Sequence, residues 1–103
     1  MTTVSPQNHT PVPPGFDREV RELVVETAPR VFAVVLEAVD GDGEWDACVA
    51  AWGMAYPDGH VHLVGEDGLL VLRLESVERA VVWATRLGAG SSARVVWPVM
   101  AAA

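Results

Sequence analysis

Residues 47–62, ACVAAWGMAYPDGHVH, decide the fold. They read as a long apolar strand, a Pro-Asp-Gly turn and the start of a returning strand. Alternation puts Cys48, Ala50, Trp52, Met54 and Tyr56 on one side, and Ala47, Val49, Ala51, Gly53 and Ala55 on the other. One side is bulky and the other nearly flat. A flat side lets a helix or a second sheet approach closely, and Gly53 marks a bulge or a close backbone contact. Neither side is polar, which predicts an inner strand covered on both faces, with Cys48 buried. In Tyr56-Pro57-Asp58-Gly59, proline presets φ at the second position and glycine tolerates positive φ at the last. The return, from His60 through Val61, His62 and Leu63, alternates polar and apolar as a half-exposed strand does.

Upstream, residues 31–39 predict a strand with Phe32, Val34, Leu36 and Ala38 on one side. Val31, Ala33, Val35 and Val39 make the other side apolar too, interrupted by Glu37. Asp40-Gly41-Asp42-Gly43 joins this strand to the central one as a hairpin. Downstream, Glu66-Asp67-Gly68 turns the chain into a fourth strand over residues 69–74. Three consecutive hairpins make a four-stranded antiparallel meander.

A helix is expected on each side of the meander. Phe16, Val20, Leu23, Val24 and Thr27 recur at helical spacing, and Asp17 and Glu19 suit the positive end of the helix dipole. Pro29 ends that helix and restricts Ala28. Ser76 is suited to cap a second helix, whose stripe is Val77, Ala80, Val81, Ala84 and Leu87, with Trp83 on the flank. Gly88 fits its C′ position, and a Gly/Ser loop leads to a last strand over residues 93–99. Pro98 places that strand at an edge or at its own end.

The expected architecture is therefore α+β, in the order α-β-β-β-β-α-β, as a single compact domain over residues 16–100. Residues 1–15, with four of the seven prolines, read as a disordered or loosely packed tail, and residues 101–103 as a frayed end. Two helices on one face of a five-stranded sheet leave the other face bare. Either the helices lie on opposite faces or another chain covers one of them, and a homodimer or an obligate protein partner is expected.

Composition excludes several classes. With 14 acidic residues against 7 basic ones and a formal charge of −7, the chain lacks the clustered cations that a nucleic-acid backbone or an anionic membrane requires. The single cysteine rules out an intrachain disulfide. The polar, Pro-rich start shows no signal-peptide pattern, and no apolar run is long enough to span a bilayer. A cytoplasmic protein is expected. Lysine and isoleucine are absent while Ala, Val, Gly and Arg abound, a bias that matches the GC-rich codons of high-GC bacteria such as actinomycetes.

Three stretches suggest chemistry and each reads better without it. Asp40-Gly-Asp42-Gly-Glu44 opens like a calcium loop, but its sixth position is Trp45 instead of glycine and its twelfth is Ala51 instead of glutamate. Gly88-Ala-Gly90-Ser-Ser-Ala93 fits a dinucleotide fingerprint literally, yet follows a helix and opens a strand, the reverse of what phosphate binding needs. His60 and His62 share a strand face and are weak metal candidates, with Glu66, Asp67 and His9 as the nearby further ligands in sequence. No nucleophile elbow, zinc-protease, CxxC or P-loop motif occurs. No catalytic residue or cofactor is assigned, and an enzyme is disfavoured.

The remaining signal is aromatic. Trp52 and Trp83 are expected to fill the core, whereas Trp45 beside the Asp-Gly turn and Trp97 near the final edge are harder to bury. Trp45, Trp52, Met54, Tyr56 and Trp97 are the candidate partner- or ligand-binding residues, because exposed Trp, Tyr and Met concentrate at interface hot spots. The leading expectation is a non-enzymatic interaction domain that self-associates or docks on a protein through an apolar sheet face or edge strand. A second is a small-molecule binder or small enzyme with a sheet–helix pocket lined by Trp52, Met54, Tyr56 and Trp83. A third is an acidic inhibitor or immunity-like protein for a basic partner.

Overall fold

The computed structural model describes residues 10–98. The elements are α1 (Phe16–Thr27), β1 (Arg30–Val39), β2 (Trp45–Ala55), β3 (Val61–Gly65), β4 (Val71–Leu74), α2 (Val77–Leu87) and β5 (Ser92–Val96). All strands join one antiparallel sheet in the order β4-β3-β2-β1-β5. This is the α+β layout expected from the sequence, with β5 returning to pair with β1 at the sheet edge.

The turns explain the meander. The Gly59 N–H donates to the Tyr56 carbonyl at 2.8 Å, and the Tyr56 N–H donates to the His60 carbonyl at 2.9 Å. Gly59 takes φ 98°, a value that costs other residues energy. At the β1–β2 tip, the Asp40 carboxylate accepts the N–H groups of Asp42 and Glu44 at 2.8 and 3.0 Å. The acidic run thus closes its own turn. The β3–β4 turn takes in Leu69 and Leu70, so β4 starts at Val71, two residues later than the apolar run suggested.

The β1–β2 register carries one irregularity. Val34 pairs with Ala51 and Val35 pairs with Val49, so Ala50 is the extra residue of a bulge. The bulge lies at Ala50 and not at Gly53. It reverses the phase of the earlier half of β2, and Cys48 pairs with Leu36, on the opposite side from Trp52. Cys48 is exposed, which corrects the expectation that it is buried. The reason is position: Gly88, at the end of α2, sits against Leu36, and the hairpin runs on past the helix.

Gly53 instead serves close approach. A Cβ added there would collide with the Phe32 ring, which lies over the glycine. Around this contact one sheet face builds the core, with Phe32, Val34, Ala51, Val61 and Leu63 fully buried. Helix α2 lies on this face through Ala80 and Ala84, whose small side chains let it approach closely. Ser76 caps α2, its hydroxyl accepting the Arg79 N–H at 3.2 Å. Gly88 closes the other end at φ −96°, its N–H donating to the Ala84 carbonyl at 3.0 Å.

Helix α1 forms over the expected residues, yet every one of them is exposed. Its apolar stripe faces no other element: Leu23 is 58 % and Val24 59 % exposed. Residues 10–15 carry no helix or strand and are exposed, whereas residues 1–9 and 99–103, the rest of the proposed tail and end, lie outside the described residues. Strand β5 stops at Val96, ahead of Pro98, rather than running to residue 99. Among the described residues no helix is long and apolar enough to cross a membrane.

Candidate functional site

Strand pairing decides which side chains stand together on the face away from α2. Facing pairs in an antiparallel ladder share a face, so the register can be read as rows across the sheet. One row runs Val31, Met54, His62, Arg73; the next runs Val96, Ala33, Trp52, Val64, Val71. Then come Arg94, Val35 and Val49, followed by Ser92, Glu37 and Ala47, and finally Val39 and Trp45 at the hairpin tip. No helix or strand among the described residues covers these rows. Trp52 at the centre is 42 % exposed, Val71 68 % and Trp45 74 %.

This face is apolar across its middle and carries an arginine at each edge. Arg73 stands on β4 and Arg94 on β5; Glu37 pairs with Arg94, and Asp58 lies near enough to Arg73 for its charge to help lower the Asp58 pKa. The Arg94 guanidinium donates to Glu37 at 2.9 Å, and that hydrogen bond raises the arginine's pKa. An apolar, arginine-edged face on a chain of net charge −7 departs from the charge of the rest of the molecule.

The structure brings Trp52, Met54 and Tyr56 to this one face, as alternation implied. It separates them from Trp83 and Trp97. Trp83 packs on the core from α2, on the other side of the sheet, so these four side chains do not line a common sheet–helix pocket. Trp83 instead borders a groove of about 350 Å³ with Ala50, Gly65 and Leu70. Trp52, expected in the core, is the centre of the open face.

Trp97 is not an exposed edge anchor. Its ring packs 5.1 Å from Phe32, and the Arg30 guanidinium lies 4.1 Å above it. The sequence places Trp97 near an edge, but its ring folds inward onto the core side.

His60 and His62 belong to an aromatic cluster that continues the open face. Tyr56 stacks on His60 with centroids 4.4 Å apart and planes within 6°, and His62 meets both rings edge-on at 5.0 and 5.1 Å. The His60 Nδ1 pairs with the Asp58 carboxylate. Among the described residues no three His, Cys, Asp or Glu side chains are grouped to hold a metal. Glu66 and Asp67 stand past the far end of β3, and His9 lies outside the described residues.

The His60 backbone N–H, then its ring, holds the Asp58 carboxyl below its ordinary value of 3.8. A depressed carboxylate pKa adds stability above the ordinary value and loses it as pH falls through the lowered one. The stability advantage of the native chain over Asp58→Asn is therefore expected to shrink on acidification below 3.8, read by urea unfolding at stepped pH. An advantage that grows on acidification would contradict this pairing.

The valines that complete the face, Val31, Val35, Val49, Val64, Val71 and Val96, were missing from the sequence-derived site. Their signal was the two-sided apolarity of β1 and β2, which became a surface only once register and α2 were placed. In comparisons with known proteins, no family model, curated protein or solved structure matches the chain.

Proposed function

We propose that the chain is a protein-interaction domain that works without catalysis, self-associating or docking on a protein through its open sheet face. The observation that carries this reading is the five-stranded apolar face with Trp52 at its centre and no covering element among the described residues. Large exposed apolar patches in water are unfavourable and characteristically mark binding surfaces. Tryptophan at the centre and arginine at the rim is the composition of interface hot spots.

The test is Trp52→Glu. Its side chain lies outside the core, so the variant is expected to keep the native circular dichroism spectrum while association weakens by tenfold or more, the scale of a lost hot spot of about 2 kcal/mol. Concentration-dependent sedimentation reads both species. A folded variant that associates as tightly as the native chain would rule out this face.

A further inference from the structure

We infer that the open face of one copy is covered by α1 of a second copy, the exchange being reciprocal, which rests on the interaction reading above and names the partner. Two unpartnered apolar surfaces occur in the same chain: the sheet face and the stripe of α1. A helix of 12 residues is marginal in water without tertiary contacts, so α1 needs a surface to lie on. Its length of about 18 Å, at 1.5 Å per residue, matches the roughly 19 Å between the outer strands of a five-stranded sheet.

Charge fits as well. The stripe of Phe16, Val20, Leu23 and Val24 is bordered on one side by Glu19 and Glu26, neither in an ion pair among the described residues, and on the other by Asp17, which pairs with Arg21 at 2.9 Å. The sheet face carries Arg73 at one edge and Arg94, already paired with Glu37, at the other. With the helix laid across the strands, Glu19 and Glu26, near its two ends, come toward the arginine-bearing edges of the sheet.

The linker points to a second copy in place of the same one. Helix and strand are joined by Ala28 and Pro29 alone. Ala28 is extended, with φ −65° and ψ 134°, and the following proline keeps it out of the helical region that a sharp reversal would use. Helix α1 consequently runs outward from β1 instead of folding back over its own sheet. A two-fold exchange buries both surfaces twice, toward the roughly 1,200–2,000 Å² of a stable dimer.

The test compares Leu23→Asp with Trp52→Glu by light scattering on a sizing column. Leu23 touches no core residue, so folding of that variant is not at stake. Each variant alone is expected at the monomer mass of 11.0 kDa. An equimolar mixture is expected to regain a dimer, because the Trp52→Glu copy supplies an intact helix and the Leu23→Asp copy an intact face. With one contact of two restored, that dimer should be at least tenfold weaker than the native one. Val71→Asp, on the edge strand, replaces Trp52→Glu if the latter unfolds. Dimeric Leu23→Asp would overturn the helix exchange while leaving the sheet-face reading in place. Monomeric variants whose mixture stays monomeric would overturn the exchange too, and a native chain that is monomeric throughout would overturn self-association itself.

Discussion

Phe32→Ala is expected to cost a large part of the domain's stability, about 3–5 kcal/mol, the range for deleting a fully buried aromatic ring. Among the described residues Phe32 is the largest fully buried side chain, and its ring fills the space that Gly53 leaves open on the neighbouring strand. It also supports Trp97, so its removal unseats the partly buried tryptophan and the Arg30 guanidinium above it. Among the described residues the buried core is small and contains no polar side chain, which leaves few contacts to compensate. Domains of this size hold about 5–15 kcal/mol in total. Urea unfolding followed by circular dichroism measures the loss. A cost below about 1 kcal/mol, ordinary for a surface site, would mean that the ring is not at the centre of the core.

Gly53→Ala is expected to cost about 1–3 kcal/mol, the usual price of overpacking a core. The added methyl collides with the Phe32 ring, and neither strand can shift because both are hydrogen-bonded on both sides. For a domain of this length each kcal/mol lowers the melting temperature by about 4–8 °C. The cause can be isolated by combining it with Phe32→Leu. If the clash is the mechanism, the double variant is more stable than the two separate losses predict. Strict additivity would put the strain elsewhere.

These two effects also divide the sheet by face. Residues 32 and 53 face α2, whereas Trp52 and Ala33, one step along each strand, face away from it. Substitution on the first face should register in unfolding free energy, and substitution on the second in association.

Much of this arrangement is legible in the sequence because local chemistry agrees with the global fold. Tyr56-Pro57-Asp58-Gly59 makes its turn, Ser76 caps its helix, and the strands fall between turn residues at regular intervals. The bulge was hidden for a physical reason. On a strand apolar on both sides, a one-residue slip at Ala50 changes no polarity pattern, so the reversal of Cys48 leaves no trace in alternation. The position of Trp97 was hidden because it depends on β5 returning to β1, a pairing remote in sequence.

The surface was half legible. The apolar residues on both sides of β1 and β2 announce that two helices on one face would leave the other bare. What they left open was the place of α1, since amphipathic spacing defines a stripe without defining what it touches. In the sequence Pro29 marks the end of a helix, whereas its effect on the direction of the outgoing chain lies in the backbone angles of Ala28.

The central claim is that the open face makes this chain associate with itself, and the absolute mass in solution tests it most directly. Light scattering on a sizing column across a dilution series is expected to give twice the chain mass of 11.0 kDa at high concentration, falling toward the monomer on dilution. A mass that stays at 11.0 kDa at every concentration would contradict self-association through this face.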